Sequence, residues 1–330
     1  MLVVRRIAVN PLHRLRQGTL AFAEKKSRKD EGSLYTMDDV MDLKVRNRDE
    51  IGDLYRGIRE MQTSIVHNTE ELAKAAAEKE RTRTELNLAA KIQASALPQV
   101  APDFTGRAAF ELSASMMPAK EVGGDFYDFF DLDDRRLALV IANVSGKGVP
   151  AALFMMTAKD RISSRAQAGG TPAEILADVN RQLCRNNTEK MFVTVWLGIL
   201  DLETGVLTAS NGGHEEPVLH SGAAFELVHD QHSLVLGGFA RTKYTDYEIR
   251  MKPGDILFVY TDGVPEANDI NHQRYGTQRL LEALNASASS EPEELLAAVK
   301  ESVSAFTGNA EQFDDLTMLC VRFKKRPGCM

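Results

Sequence analysis

Phe192-Val-Thr-Val-Trp-Leu-Gly-Ile-Leu200, Asp201-Leu-Glu-Thr-Gly205 and Val206-Leu-Thr-Ala-Ser210 read in order as strand, tight turn and strand. β-Branched and aromatic residues fill the first run, and Asp, Thr and Gly supply turn chemistry between the two. So short a turn joins antiparallel neighbours, because a parallel pair needs a crossover of about a dozen residues or more. Working outward, Leu137-Ala-Leu-Val-Ile-Ala-Asn-Val144, Ile256-Leu-Phe-Val-Tyr260 and Leu316-Thr-Met-Leu-Cys-Val-Arg-Phe323 also read as buried strands. Helices interleave with them. One runs from Pro150 to about Gln167. Thr171-Pro-Ala-Glu174 announces another, a capping box with proline at the first helical position, and Ser290-Glu-Pro-Glu293 carries the same signature for a third. Strands outnumber helices and a hairpin separates two of them. The expected fold class is α+β with antiparallel sheets rather than a Rossmann fold.

The chain has 330 residues, enough for two or three domains, with 43% hydrophobic and 26% charged residues. A net charge of −7 argues against a nucleic-acid binder. Cys184, Cys320 and Cys329 show no CxxC spacing, which fits a reducing compartment and neither a zinc site nor a disulfide framework. No apolar run approaches a membrane span, and no secretory signal pattern is visible. The first 30 residues hold eight Lys/Arg against Glu24 and Asp30. That surplus suits a segment at a cytoplasmic membrane face, and equally a solvated helix face.

Residues 1–66 read as two helices around a charged connector at about 25–48. The first carries Ile7, Leu12, Leu15 and Leu20, with Pro11 inside it. The second starts at Asp49-Glu50-Ile51-Gly52-Asp53-Leu54. From there apolar residues recur at Ile51, Leu54, Ile58, Met61, Ile65, Leu72 and Leu86, in the steps of three and four that mark a coiled-coil seam. Asn68, Lys79 and Thr82 on that seam weaken a coil while fixing its register. Residues 67–97 lack Gly and Pro and continue the helix, which Pro98 ends. The expected division is 1–66, a helical linker 67–107, and 108–330.

Four short segments carry the chemistry: Glu121-Val-Gly-Gly-Asp125-Phe-Tyr-Asp128, Asn143-Val-Ser-Gly-Lys-Gly148, Tyr260-Thr-Asp262-Gly263 and Asp314-Asp315-Leu-Thr317. Each puts a carboxylate or an amide beside glycine or at the end of an apolar run. Hard cations such as Mg²⁺ and Mn²⁺ prefer oxygen ligands, and carboxylates at strand ends suit a two-metal hydrolytic site. Ser145-Gly-Lys-Gly148 lacks the spacing of a nucleotide-binding phosphate loop; Lys147 reads first as a loop lysine and second as a contact for a substrate phosphate. His214, in a Gly-Gly-His turn, reads first as a structural residue and second as a catalytic one. Glu121 and Asp128 read as exposed loop acids, and Glu266 as a helix-start residue.

These segments, with Met191-Phe-Val-Thr-Val, Asn211-Gly-Gly-His-Glu-Glu-Pro, Pro253-Gly-Asp and Val264-Pro-Glu-Ala267, make residues 108–324 resemble the PPM-type serine/threonine phosphatases, in their bacterial SpoIIE/RsbU-like branch. The resemblance implies an α-β-β-α sandwich with metals at one edge of two stacked antiparallel sheets. It also implies Mn²⁺ or Mg²⁺ held by Asp125, the Val144 carbonyl, Asp262 and Asp314, with Asn143 standing where the metal-bridging aspartate belongs. Gly124, Lys147, Gly263 and Asp315 would surround the metals or meet the substrate. Two cations would activate a water to attack phosphorus, so no protein nucleophile is implied. Pro11 and the Asp-Glu-Ile-Gly-x-Leu run make residues 1–66 similar to a HAMP domain. That similarity implies a parallel homodimer through the HAMP and linker helices, and a Met1-Leu-Val-Val start that is the stump of a membrane helix on the cytoplasmic side. The branch's substrates imply a phosphorylated STAS-domain anti-anti-sigma factor as partner.

Asn143 leaves alternatives open. The domain is expected to be a weakened phosphatase, or a pseudophosphatase that serves as a dimeric signalling scaffold, or an active enzyme into which the amide was introduced.

Overall fold

The computed structural model describes residues 5–28, 35–40, 42, 50–98, 109–185 and 187–324, which fall into two compact units, Met1–Glu85 and Leu86–Met330. The expected membrane-helix stump at Met1–Val4, Cys329, most of the 25–48 connector and the loop around Pro102 and Gly106 lie outside the described residues.

In the first unit a π-helical turn, Arg5–Val9, precedes α1, Asn10–Arg28, so Pro11 stands in the opening turn of the α-helix, where its missing N–H costs nothing. The second helix, α2, runs unbroken over Glu50–Ala96, and the expected continuity past residue 66 is present. Leu15 and Tyr55 are buried together, with Ile51 and Ile58 packed against them. Phe22 is also buried and stacks on Tyr35 with ring centroids 4.4 Å apart. The expected seam divides. Ile51, Ile58 and Ile65 are half-buried, whereas Leu54, Met61 and Leu72 are exposed. Within the first unit, the most buried side chains of α2 are Tyr55, Gln62 and Val66, so the stripe the chain covers by itself lies beside the predicted seam. Among the described residues no helix is long and apolar enough to cross a membrane.

The second unit holds two five-stranded sheets whose pairs are all antiparallel. The strands are β1 Phe110–Met117, β2 Asp125–Asp131, β3 Arg136–Val144, β4 Val193–Asp201, β5 Val206–Gly212, β6 Val218–His220, β7 Phe225–Leu227, β8 Tyr247–Arg250, β9 Ile256–Tyr260 and β10 Leu316–Phe323. One sheet is ordered β1-β10-β9-β6-β7 and the other β2-β3-β4-β5-β8. The opening hairpin is β4–β5, with Gly205 N donating to Asp201 O.

Period-two alternation sorts the side chains into three apolar layers. Leu137, Leu139 and Ile141 of β3, Leu257 and Val259 of β9, and Leu319 and Val321 of β10 fill the space between the sheets, around Trp196. The other faces of β3 and β4, through Val140, Ala142 and Val195, meet α3 (Val149–Gln167) and α4 (Pro172–Cys184). Phe258, Tyr260, Met318 and Cys320 meet α5 (Gly276–Ala286) and α6 (Pro292–Thr307). The result is the expected α-β-β-α sandwich. Because both faces of the central strands are covered, they read as continuous apolar runs even though the sheets are antiparallel.

The Thr171 capping box forms as expected, with Glu174 closing it. The third helix starts one residue later than predicted. Its cap is Glu291, with Pro292 at the first helical position and Glu294 completing the box, in place of Ser290 and Glu293. Proline fixes this register, because the residue before it is held extended, as Glu291 is at ψ 158°.

Candidate metal centre

The site lies where strand ends of the two sheets meet. Asp125 opens β2 and pairs in the ladder with Asn143 near the end of β3, and Asn143 pairs in turn with Thr194 of β4. Asp262 follows β9, and Asp314 and Asp315 precede β10. Thr261 N donates to Thr317 O at 3.0 Å, and Thr317 N to Thr261 Oγ1 at 3.2 Å, which fastens the β9 and β10 ends together.

Each candidate ligand has defined neighbours. Thr261 Oγ1 donates to Asp125 Oδ2 at 2.7 Å, and the Thr317 hydroxyl is a second polar neighbour of this carboxylate, although Asp125 Oδ1 is buried outside well-formed hydrogen-bond geometry. Burial, then the Asp315 carboxylate, pushes the Asp125 pKa well up. Asn143 Nδ2 donates to Asp262 Oδ1 at 2.7 Å. Burial raises the Asp262 pKa against that hydrogen bond, with Asp314 and Glu266 adding repulsion. Lys147 Nζ lies 3.3 Å from Asp314 Oδ2, donates to Phe313 O, and sits 3.8 Å from the Phe313 ring centroid. The Val144 carbonyl faces Gly124, where a Cβ would stand 2.8 Å from it.

Asp315 ties the two sheets together. Its Oδ1 accepts from Ala119 N at 2.8 Å, and its Oδ2 from Gly124 N at 2.8 Å and Asp125 N at 3.3 Å. A Cβ on Gly263 would collide with the Asp315 carbonyl, so only glycine permits this approach.

Acids that repel one another, and one buried carboxylate oxygen outside well-formed hydrogen-bond geometry, suit a hard cation. Asp125, Asp262, Asp314 and the Val144 carbonyl are the oxygens available to hold it. Among the described residues no three His, Cys, Asp or Glu side chains form a ready metal cage.

Three expectations need correction. Asp128 is buried, not an exposed loop acid: it lies on β2 beneath α3, where Lys159 Nζ at 2.8 Å and Ser163 Oγ at 2.6 Å donate to its Oδ2. It shares the helix-facing side of β2 with Phe126, because β2 already starts at Asp125. Glu266 starts no helix. It lies in a turn, 2.9 Å from Arg274 Nη1, and the next helix begins at Gly276. Glu121 does remain exposed in its loop. The third correction is an omission. Gln93 of α2 is buried, with Nε2 donating to Gly123 O at 2.6 Å and Oε1 accepting from Gly123 N at 3.1 Å. Nothing around Lys91-Ile-Gln93-Ala-Ser95 marks it in the sequence.

His214 is buried, its Nδ1 3.0 Å from Thr194 Oγ1, and Thr194 Oγ1 donates to Asn143 O at 3.4 Å. Burial pushes its pKa down to about 3. The folded pKa is therefore below the unfolded value of about 6.5, so protons bind the unfolded chain preferentially between the two. Stability should fall as pH drops below about 6.5, with a slope approaching about 1.4 kcal/mol per pH unit from this group. Asp125 and Asp262, with raised folded pKa values, act in the opposite sense. Urea unfolding at successive pH values should show the acid slope reduced in His214→Gln. Equal slopes in the two chains would refute this origin.

Comparison with known proteins agrees with this architecture. The family model for stage II sporulation protein E (SpoIIE) matches residues 133–324, and the HAMP domain model matches residues 3–67. The chain belongs to the SpoIIE family of PP2C-type phosphatase domains and carries a HAMP domain before it. It is 30% identical over 269 residues to protein IcfG of Synechocystis sp., covering 72% of this chain and 41% of that one. It is 28% identical over 247 residues to phosphoserine phosphatase RsbU of Bacillus subtilis, covering 73% and 71% of the two chains. The SiaA-PP2C domain of Pseudomonas aeruginosa shares its fold, with a TM-score of 0.67 at 24% identity over 76% of this chain and all of that one.

Proposed function

We propose that the chain is a phosphoserine/phosphothreonine protein phosphatase dependent on Mn²⁺ or Mg²⁺, as is typical of its family, and that it acts on a phosphorylated STAS-domain protein in bacterial partner switching. The observation that supports this reading is the Asp125 carboxylate, buried at the junction of two sheets with the Asp315 and Asp262 charges around it, and Asp314 in turn close to Asp262. Bound cations would activate water and neutralise charge developing on the phosphoryl group. Thr261 holds Asp125 in place, Asp315 locks the loop before it, and Lys147 is a cation at the exposed rim, able to orient a phosphate. Phosphate release from a phosphorylated STAS protein with added Mn²⁺, for this chain and for Asn143→Asp, tests the reading.

A specific contact favours the second reading. The Asn143 amide donates to an oxygen that a cation would need, so the chain as it stands fits a weakened enzyme or a pseudophosphatase scaffold. Binding of a STAS partner without hydrolysis by either form would establish the scaffold.

The HAMP and linker helices would dimerise in parallel, with residues 1–66 and 67–107 relaying a signal to 108–330 from a membrane-anchored cytoplasmic position. Leu54, Met61 and Leu72 are exposed in the single chain, and burying each leucine would contribute about 1.5–3 kcal/mol. Sedimentation should give a dimer at about tens of micromolar, and Leu54→Glu with Met61→Glu should give a monomer. A monomeric parent would rule the seam out.

A further inference from the structure

A cavity of about 210 Å³ opens beside the candidate metal centre, between the end of α6 and the start of β10. Met117, Val303, Leu316 and Met318 give it an apolar lining, and two site residues, Gly263 and Asp314, form part of its wall. Phe313 stands at its edge, 60% exposed, pinned by Lys147. Asp314 keeps 27% of its side chain exposed, whereas Asp125 is buried. The centre is therefore approached from solvent on the Asp314 side, which is also the side of the cavity.

We propose that this cavity receives one apolar side chain of the phosphoprotein substrate, from a residue close in sequence to the phosphoserine. The inference rests on the phosphatase reading above. Size selects the occupant. Pockets for drug-sized ligands and cofactors measure roughly 300–1,000 Å³, and 210 Å³ is smaller than that. Lys300 and Glu311 both line the cavity and offset each other in charge, so nothing there selects a small anion. Reach agrees as well. An extended peptide advances about 3.3–3.6 Å per residue and sends alternate side chains to one side. With the phosphate held beside Lys147, itself 3.3 Å from Asp314, a side chain within about three residues reaches a cavity that shares Asp314 as wall.

The test fills the cavity from residues outside the metal centre, Ser304→Trp or Ala310→Trp, each in an Asn143→Asp background. Two short phosphoserine peptides, one flanked by leucines and one by alanines, are compared with p-nitrophenyl phosphate. The leucine peptide should have a KM about tenfold lower than the alanine peptide, about 1.4 kcal/mol. Either tryptophan should abolish that preference while changing p-nitrophenyl phosphate hydrolysis less than about twofold. Equal KM values for the two peptides on the unfilled cavity would overturn the proposal, as would a filled cavity that slows all three substrates alike. Fluorescence anisotropy of the same labelled peptides separates the two readings. Leucine-selective binding lost on filling, with no hydrolysis of any substrate, supports the cavity and rejects the enzyme. Hydrolysis without leucine selectivity rejects the cavity alone.

Discussion

Asn143→Asp is expected to raise phosphate release at saturating Mn²⁺ at least about a hundredfold, equivalent to about 2.7 kcal/mol of transition-state stabilisation. Two effects combine. The substitution supplies a charged oxygen donor where an amide is a poorer ligand for a hard dication. It also removes the donor that covers Asp262 Oδ1. The same geometry predicts a cost without metal. A carboxylate at 143 would face Asp262, with Asp125 opposite it in the ladder, and like charges so placed repel. Metal-free Asn143→Asp should melt below the parent, and Mn²⁺ should raise its melting temperature more than it raises the parent's. Adding Asp262→Ala should abolish the gain in turnover. If the parent already hydrolyses substrate rapidly and Asn143→Asp adds nothing, asparagine is a competent ligand and this account of the site is wrong.

Gln93→Ala should damage the site from outside the carboxylates. It strips partners from both the N–H and the C=O of Gly123, which stand inside the protein two residues before Asp125. Leaving a buried polar group unsatisfied costs about 1–3 kcal/mol, and here there are two. We expect at least a tenfold loss of turnover in the Asn143→Asp background, about 1.4 kcal/mol, with the Mn²⁺ midpoint shifted to higher concentration because the Asp125 loop is no longer held. Gln93→Glu keeps an acceptor for Gly123 N–H but brings a carboxylate against Gly123 O, so it should also fail to restore full activity. An unchanged Mn²⁺ midpoint in both variants would reduce Gln93 to a packing residue. Gln93 belongs to the same helix, α2, that carries the predicted coiled-coil seam.

Much of this was legible in the sequence because the central strands are long and apolar. β3, β4, β9 and β10 were found within a residue or so of their observed ends, since strands buried on both faces leave continuous runs. β1 escaped notice: Phe110-Glu-Leu-Ser-Ala-Ser-Met-Met117 interleaves serines and lies at a sheet edge. β6, β7 and β8 are too short for any period to register. The acidic segments marked the site because glycine and aspartate at strand ends are chemically conspicuous. The residues that position them were not conspicuous. Thr261, Gln93 and Lys159 reach Asp125, Gly123 and Asp128 across 136, 30 and 31 positions of chain, and local sequence carries no trace of a partner so far away. Asp128 was misread for a related reason, since an acid beside a glycine turn looks like a loop residue until its strand face is known.

The strand order has a temporal consequence. β1, the first strand of its sheet, pairs only with β10, the last, and β10 in turn lies between β1 and β9. On a ribosome β1 must therefore wait, unpaired, while nearly the whole domain is synthesised. The other sheet, by contrast, has β2 to β5 consecutive and can zip as it emerges. Asp315, which fastens the loop before Asp125, arrives with β10. The nascent chain thus carries one sheet but only part of the other, and no metal edge, until β10 inserts. Contacts this distant along the chain form slowly, so the insertion of β10 is also the step that creates the candidate site.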